Sequence, residues 1–270
     1  MSVLRKALAF VKRDVTEESS YKLAFLLHIS GIFFQVFAFF FLSKLIGKGT
    51  VPSLKPYGGD YFSFVLVGIA FAGYHLAALS GFASSIREAQ VKGTLEAVLL
   101  TQTGIRTIVL CSSLYRFLWT SLTIVVYLLI GAILFGVTIG GANLLGALLV
   151  LFLTITSSSG VGIISASFVM VFKKGDPLAF AFSGASFLLG GVYYPVAVLP
   201  EWLQKVSYVL PLRHSLEGMR LSLLKGAPMK VIVPNLIALA GFTAILLPIG
   251  LLCFQYAVKR AKMDGSLTHY

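Results

Sequence analysis

The chain has 270 residues, of which 57% are hydrophobic and only 12% are charged, and its mean hydropathy is +0.91. Soluble domains are nearer half apolar and a quarter charged, so this composition predicts an integral membrane protein. A net charge of +12 would suggest nucleic-acid binding in a soluble protein, but here the basic residues flank apolar segments. Orientation and lipid headgroups explain them better, so we exclude nucleic acid as a partner and expect contact with membrane lipids.

Residues 1–20 precede the first apolar run and predict an interfacial amphipathic helix. Apolar residues recur there at helical spacing, at Val3, Leu4, Ala7, Leu8, Val11 and Val15, while the basic residues occupy other faces. The first apolar run is about as long as a full span and lacks a small-residue cleavage pattern. We therefore expect no removable signal peptide.

Five uncharged runs are long enough to cross a bilayer, since about 20 apolar residues suffice for a helix to do so. The longest, 117–172, has glycines and Asn143 near its middle, which predict a turn between two spans. The sequence therefore predicts an all-α integral membrane protein, one transmembrane domain over 1–270. Its six transmembrane helices are expected at roughly 23–45, 61–83, 112–136, 143–172, 177–194 and 232–258.

The basic residues between these spans predict the orientation of the chain. Fourteen Lys and Arg residues fall on the side of the two termini, and eight fall on the opposite side. Because short cytoplasmic loops carry an excess of Lys and Arg, both termini are expected in the cytoplasm.

The segment 86–104, IREAQVKGTLEAVLLTQTG, is too polar to cross the membrane but carries apolar residues at mostly helical intervals. It predicts a cytoplasmic helix between spans 2 and 3, or two helices broken at Gly93, lying against the inner face.

The apolar region 190–230 is interrupted by glycines and by Pro195, Pro200 and Pro211. Its pieces are each too short to cross, so we predict a re-entrant helical hairpin between spans 5 and 6, sheltered by protein. Trp202 and Tyr208 are expected near the interface as anchors. The alternative is an ordinary loop whose Trp202 belongs to an aromatic belt.

Residues that would support chemistry within the chain are scarce. A phosphate-binding loop is not found, since Leu42 stands where the first glycine of that motif is required before Gly47-Lys48-Gly49-Thr50. Cys111 and Cys253 have no partner motif for a disulfide or a zinc ion. We expect no catalytic residue, no metal and no cofactor in this chain.

Proton or sodium coupling is disfavoured, because no Asp, Glu, Lys or Arg lies near the centre of a predicted span. His75 is the one titratable candidate there, with His28 near the start of span 1. Hydrogen bonding of His75 to a neighbouring helix is favoured over a proton relay. Ser157, Ser158 and Ser159 before Gly160 predict a small-residue packing seam rather than a nucleophile.

The segment from Arg87 to Thr101, REAQVKGTLEAVLLT, resembles the permease subunit of type 2 ABC exporters, in which a G-T-L-E-type segment follows the second span. The second half of the chain is similar to that family as well. Gly191-Val192-Tyr193-Tyr194-Pro195, Leu199-Pro200-Glu201-Trp202-Leu203, Leu210-Pro211-Leu212 and Arg220 match its outer region.

The resemblance implies a homodimer in a bacterial or archaeal cytoplasmic membrane, bound to two copies of a separate ABC ATPase that holds ATP and magnesium. It implies a coupling segment to that ATPase formed by Arg87, Glu88, Lys92, Gly93, Thr94, Leu95, Glu96 and Thr101. It implies an extracellular gate formed by Gly191, Pro195, Pro200, Trp202, Pro211 and Arg220. The alternative for the first segment is an interfacial helix that only connects two spans.

The chain is accordingly expected to be a transport subunit and not an enzyme. An amphipathic, lipid-like, drug or glycan substrate is the default expectation. An ion-coupled or proton-coupled secondary transporter or channel is the alternative function, and a membrane-embedded enzyme is a third. A carrier requires an intramembrane charge pair, and an enzyme requires a metal or a nucleophile.

Overall fold

The computed structural model describes residues 11–12, 15–16, 22–47, 51–91, 93, 113–137, 141–172 and 176–263, and its regular structure within these ranges is helical. The α-helices are α1 (Lys22–Ile46), α2 (Tyr61–Val91), α3 (Leu114–Phe135), α4 (Leu144–Phe172), α5 (Pro177–Leu189), α6 (Glu201–Ser207), α7 (Pro211–Leu224) and α8 (Met229–Met263). Short 3-10 helices at Pro52–Tyr57 and Val196–Val198 lie in two of the connections. The predicted all-α class is confirmed for this part of the chain.

The predicted interfacial helix at 1–20 falls mostly outside the described residues. Of its positions only Val11, Lys12, Val15 and Thr16 are described, and all four are helical. The interfacial location of this segment stays a prediction.

Within the described residues, five helices are long and apolar enough to cross a membrane, and they correspond to five of the six predicted spans. Their apolar stretches are Phe25–Ile46, Tyr61–Val91, Leu114–Phe135, Leu144–Phe172 and Met229–Ala261. The predicted fifth span, 177–194, is not a single helix of span length. Helix α5 has 13 residues, or about 20 Å, against about 30 Å of hydrocarbon. It ends because the chain turns at Gly190 and Gly191, the second of which has a φ of +80°.

Helix α2 is longer than predicted, running 31 residues to Val91 instead of ending near residue 83. Ile86 is buried in an apolar cluster that also contains residues of α4 and α8, so the helix has packing partners beyond the apolar run. The start of the segment 86–104 therefore belongs to α2 and is not a separate helix.

Glycines set the spacing at the centre of the bundle, where α4 packs against α2 and α8. A Cβ on Gly160 would lie 2.5 Å from the carbonyl carbon of Leu246, and a Cβ on Gly250 would lie 2.5 Å from the carbonyl oxygen of Gly160. A Cβ on Gly162 would overlap the carbonyl group of Ala78. Close backbone approach of this kind is a major source of packing energy between membrane helices, because lipid supplies no hydrophobic drive.

Helices α1 to α5 alternate in direction along the chain, so the bundle has two ends. At the first, here named the Arg220 end, Phe40 of α1 packs against Phe62 of α2, and the Asn143 N–H donates to the Ser222 carbonyl. At the second, named the Asp176 end, α2 and α4 finish and α5 begins. Helices α1, α3 and α8 expose most of their apolar surface to the surroundings of the bundle.

Candidate functional site

Arg220, near the C-terminal end of α7, is a buried charged side chain with a precise set of contacts. Its Nε donates a hydrogen bond to the Phe64 carbonyl of α2, and its Nη2 donates to the Val192 carbonyl, each at 3.1 Å. The guanidinium also lies 3.4 Å from the centroid of the Phe64 ring. One side chain therefore joins α7, the start of α2 and the segment after α5.

The contact of Arg220 with two elements depends on Gly68, one turn beyond Phe64 on α2. A Cβ at this position would overlap both the Val192 carbonyl oxygen and Nη2 of Arg220. Val192 thus lies level with Gly68, which is about 10 Å along α2 from Tyr61. The chain after α5 accordingly lies within the depth of the bundle, not beyond its end.

The 3-10 helix Pro52–Tyr57 covers this cluster. Leu54 is 1% exposed, and the ring of Tyr57 lies 5.2 Å from that of Phe64 and 5.9 Å from the Arg220 guanidinium. Burial raises the pKa of the Tyr57 hydroxyl, and the carboxylate of Glu217 raises it further, while Arg220 opposes them. The guanidinium of Arg220 is cationic at neutral pH. We name Tyr57, Phe64, Gly68, Val192, Glu217 and Arg220 the Arg220 cluster.

Arg220 is held as a cation by carbonyl oxygens and ring faces. Among the buried residues of the described ranges it is the one with a formal charge. Hydrogen bonds to a charged donor and a ring face compensate the loss of water around a buried guanidinium. This arrangement fixes the positions of three segments and has no group suited to covalent chemistry.

The predicted pair of short helices follows the cluster as α6 and α7, and their starts agree with the proline pattern. Pro200 is the N-cap of α6, and Pro211 is in the first turn of α7. Arg213 joins the two helices, since its Nη1 donates to the Gln204 carbonyl at 2.9 Å and to the Ser207 hydroxyl at 2.5 Å. Trp202 is 66% exposed on α6.

The predicted gate residues lie at different places in the fold. Gly191 adjoins Val192 and so lies beside Arg220, whereas Trp202 faces away from the protein on α6. Pro195, Pro200 and Pro211 mark the starts of the three short helical segments. Sequence reasoning missed Tyr57, Phe64, Gly68 and Glu217, and the one available signal was a glycine inside the apolar run of α2.

The predicted coupling residues lie at the Asp176 end or outside the described residues. Arg87 and Glu88 are exposed on the last turns of α2, and Gly93 has a φ of +68°. Lys92, Thr94, Leu95, Glu96 and Thr101 lie outside the described residues.

The histidine and serine predictions are confirmed by the packing of α2 on α4. His75 is fully buried, and its Nδ1 is 2.7 Å from the Ser158 hydroxyl of α4. Ser157, Ser158 and Ser159 are all buried on α4. His28, in contrast, is exposed, with its Nε2 3.3 Å from the Thr123 hydroxyl of α3.

Five span-length apolar helices with short helices folded onto one end define a multi-pass membrane protein. The chain matches the model of the ABC-2 type transporter family over residues 8–224. It therefore belongs to that family, and it is a transmembrane transport protein corresponding to the membrane domain of an ABC-2 transporter. No nucleotide-binding family matches the chain. No curated protein matches it either.

Proposed function

We propose that this chain is the permease subunit of an ATP-driven exporter, working as a homodimer with two copies of a separate ATPase. The observation that carries the proposal is the family match, which covers most of the chain and includes the two segments that resembled type 2 ABC exporters. ABC-2 permeases generally pair with ATPase subunits. The chain supplies the pathway, and its partner supplies ATP, magnesium and hydrolysis.

The proposed topology has six crossings, with α5 and the residues up to 195 making the fifth. Its support is that Val192 lies beside Gly68, within the depth of the bundle, so the chain is still inside the bundle where α5 ends. The residues up to 195 would complete the crossing, and α6 and α7 would then re-enter the Arg220 end as a hairpin. The Arg220 end would face outward, and both termini would be cytoplasmic. Single cysteines at Lys55 or Lys205, in a variant lacking Cys111 and Cys253, should react with an impermeant reagent from outside. Faster outside labelling of a cysteine at Lys92 would refute the topology.

The Arg220 cluster is proposed as the outer gate. Its support is mechanical, because movement of α7 away from α2 breaks both the hydrogen bond to the Phe64 carbonyl and the ring contact of the same side chain. These contacts of Arg220 would therefore form and break together. The rings of Tyr57 and Phe64 beside the charged Arg220 and Glu217 suit a molecule that has both apolar and polar parts. An amphipathic, lipid-like, drug or glycan substrate is therefore proposed.

The ATPase contact is proposed at the Asp176 end, in the segment from Arg87 to Thr101. Its support from the structure is that Arg87 and Glu88 are exposed on the last turns of α2. Glu88→Lys and Glu96→Lys should weaken capture of the ATPase that co-purifies with the wild-type chain. A charge contact buried in an interface is costly to reverse, whereas a solvated one is not.

Lys225→Glu is the matched control, because Lys225 is exposed at the opposite end of the bundle. It should leave ATPase capture unchanged. Unchanged capture and unchanged export in both glutamate variants would refute the coupling contact. Export from proteoliposomes without ATPase or ATP would refute the ATP-driven function and favour a secondary carrier or channel.

A further inference from the structure

His75 has one ring nitrogen that the protein leaves unpaired. The side chain is 0% exposed, and Nδ1 is occupied by the Ser158 hydroxyl at 2.7 Å. Nε2 is buried and has no hydrogen-bond partner among the described residues. The ring of Phe182 from α5 lies against the imidazole, with 6.0 Å between centroids. The unpaired nitrogen therefore lies in the seam between α2, α4 and α5.

A second unpaired group belongs to the same face of α5. Ser186 is one helical turn beyond Phe182, about 6 Å along the axis, and positions four apart share a helix face. Ser186 is 0% exposed, and its hydroxyl also has no hydrogen-bond partner within the described part of the chain. Helices α2 and α5, which pack together at His75 and Phe182, thus each carry a buried polar atom without a partner among the described residues.

Buried polar atoms in proteins almost always have a partner, and where protein supplies none, an internal water molecule does so through about three hydrogen bonds. We infer that an ordered water molecule bridges Nε2 of His75 and the hydroxyl of Ser186 between α2 and α5. Water suits either imidazole tautomer, because it accepts from a protonated Nε2 and donates to an unprotonated one.

The water site explains how α5 is attached at mid-depth. The Phe182 ring of α5 lies there against His75 of α2, and the proposed water supplies a polar connection between the two helices. When α5 moves relative to α2, the water can exchange partners. A direct bond would leave a buried donor or acceptor unpaired during the same movement.

Radiolytic hydroxyl-radical footprinting tests the site, because radicals formed from bound water label the side chains next to it. His75 should be oxidised in the full-length protein despite its burial. Met170 is the control, since it is 1% exposed in an apolar cluster and methionine is the more readily oxidised side chain. Labelling of His75 should exceed that of Met170, and Ser186→Ala should reduce it at least fivefold. Labelling of His75 no greater than that of Met170 would overturn the inference.

Thermal unfolding supplies a second, independent test. His75→Asn keeps a polar atom near the Nδ1 position and removes Nε2. Both His75→Asn and Ser186→Ala should lower the unfolding temperature, by about 3 °C each. The double variant should lose little more than either single one, because all three lose the same water. Ser183→Ala on α5, whose hydroxyl bonds the Phe180 carbonyl, is the control for hydroxyl loss alone. Additive losses, or a Ser186→Ala variant as stable as wild type, would overturn the shared site even if His75→Asn does not fold.

Discussion

Gly160→Ala should destabilise the protein, although alanine is the better helix former. The added Cβ would lie 2.5 Å from the carbonyl carbon of Leu246 and 2.7 Å from both its Cβ and its carbonyl oxygen. Ordinary contacts of this kind are about 3.5 Å or longer, so α4 and α8 must separate by about 1 Å. Leu246 meets Gly160 with its backbone and Cβ, so no side-chain rotation relieves the overlap. Overpacking of a close contact costs about 1 to 3 kcal/mol.

Gly241→Ala on α8 is the matched control, because nothing lies within 4 Å of a Cβ built there. Both variants gain the same helix propensity, about 1 kcal/mol in water, so the difference between them isolates the packing term. Reversible unfolding in detergent micelles should show Gly160→Ala to be less stable than Gly241→Ala by about 1 to 3 kcal/mol. Equal stabilities of the two variants would refute the close contact between α4 and α8.

Three further predictions concern polar side chains outside the long helices. Arg220→Lys should lower the free energy of unfolding by about 2 kcal/mol, because a point charge replaces the planar fork that bonds two carbonyls and stacks on a ring; wild-type stability in thermal unfolding would contradict this. Asp176→Ala should cost about 1 kcal/mol by loss of the α5 N-cap, and Asp176→Asn, which keeps a cap oxygen, should cost less in the same measurement. Tyr57→Phe tests the raised pKa of that hydroxyl. Tyr57 ionises at a higher pH in the folded chain than in the unfolded chain, so its contribution to the free energy of unfolding is full below pH 10 and is lost as the pH rises above it. The free energy of unfolding of the Phe variant should therefore fall less than that of wild type between pH 9 and about 11.

Local patterns in the sequence were sufficient to predict the long helices and the starts of the short ones. Uncharged runs locate the spans because lipid requires a continuous apolar stretch, whatever the neighbouring helices are. Pro200 and Pro211 mark the starts of α6 and α7, because proline fits the first turn of a helix and disrupts later turns.

Two misjudged boundaries share one physical cause, because tertiary contact overrides local composition. Gly190 and Gly191 interrupt the apolar run 177–194, but composition alone does not show that the chain turns there, where Val192 packs against Gly68 of α2. Arg87 and Glu88 suggested a new segment, yet α2 continues through them, with Ile86 buried in an apolar cluster shared with α4 and α8.

The Arg220 cluster was beyond sequence reasoning, apart from Arg220 itself. Its two carbonyl partners are 156 and 28 positions away along the chain, and backbone carbonyls carry no residue-specific signal. Arg220 was identified by resemblance to a family, whereas Tyr57 and Glu217 belong to loop and helix positions that appear unremarkable until the chain is folded.

Helix α5 is too short to match the hydrocarbon thickness, so it creates a hydrophobic mismatch with the lipid on its side of the protein. Its 13 residues cover about two thirds of the hydrocarbon thickness, while the helices of 22 residues or more elsewhere in the bundle match it. Acyl chains next to α5 must shorten or tilt where the backbone after Leu189 begins. The bilayer therefore exerts a force on the segment after α5, which Arg220 holds in place. Longer acyl chains increase that force.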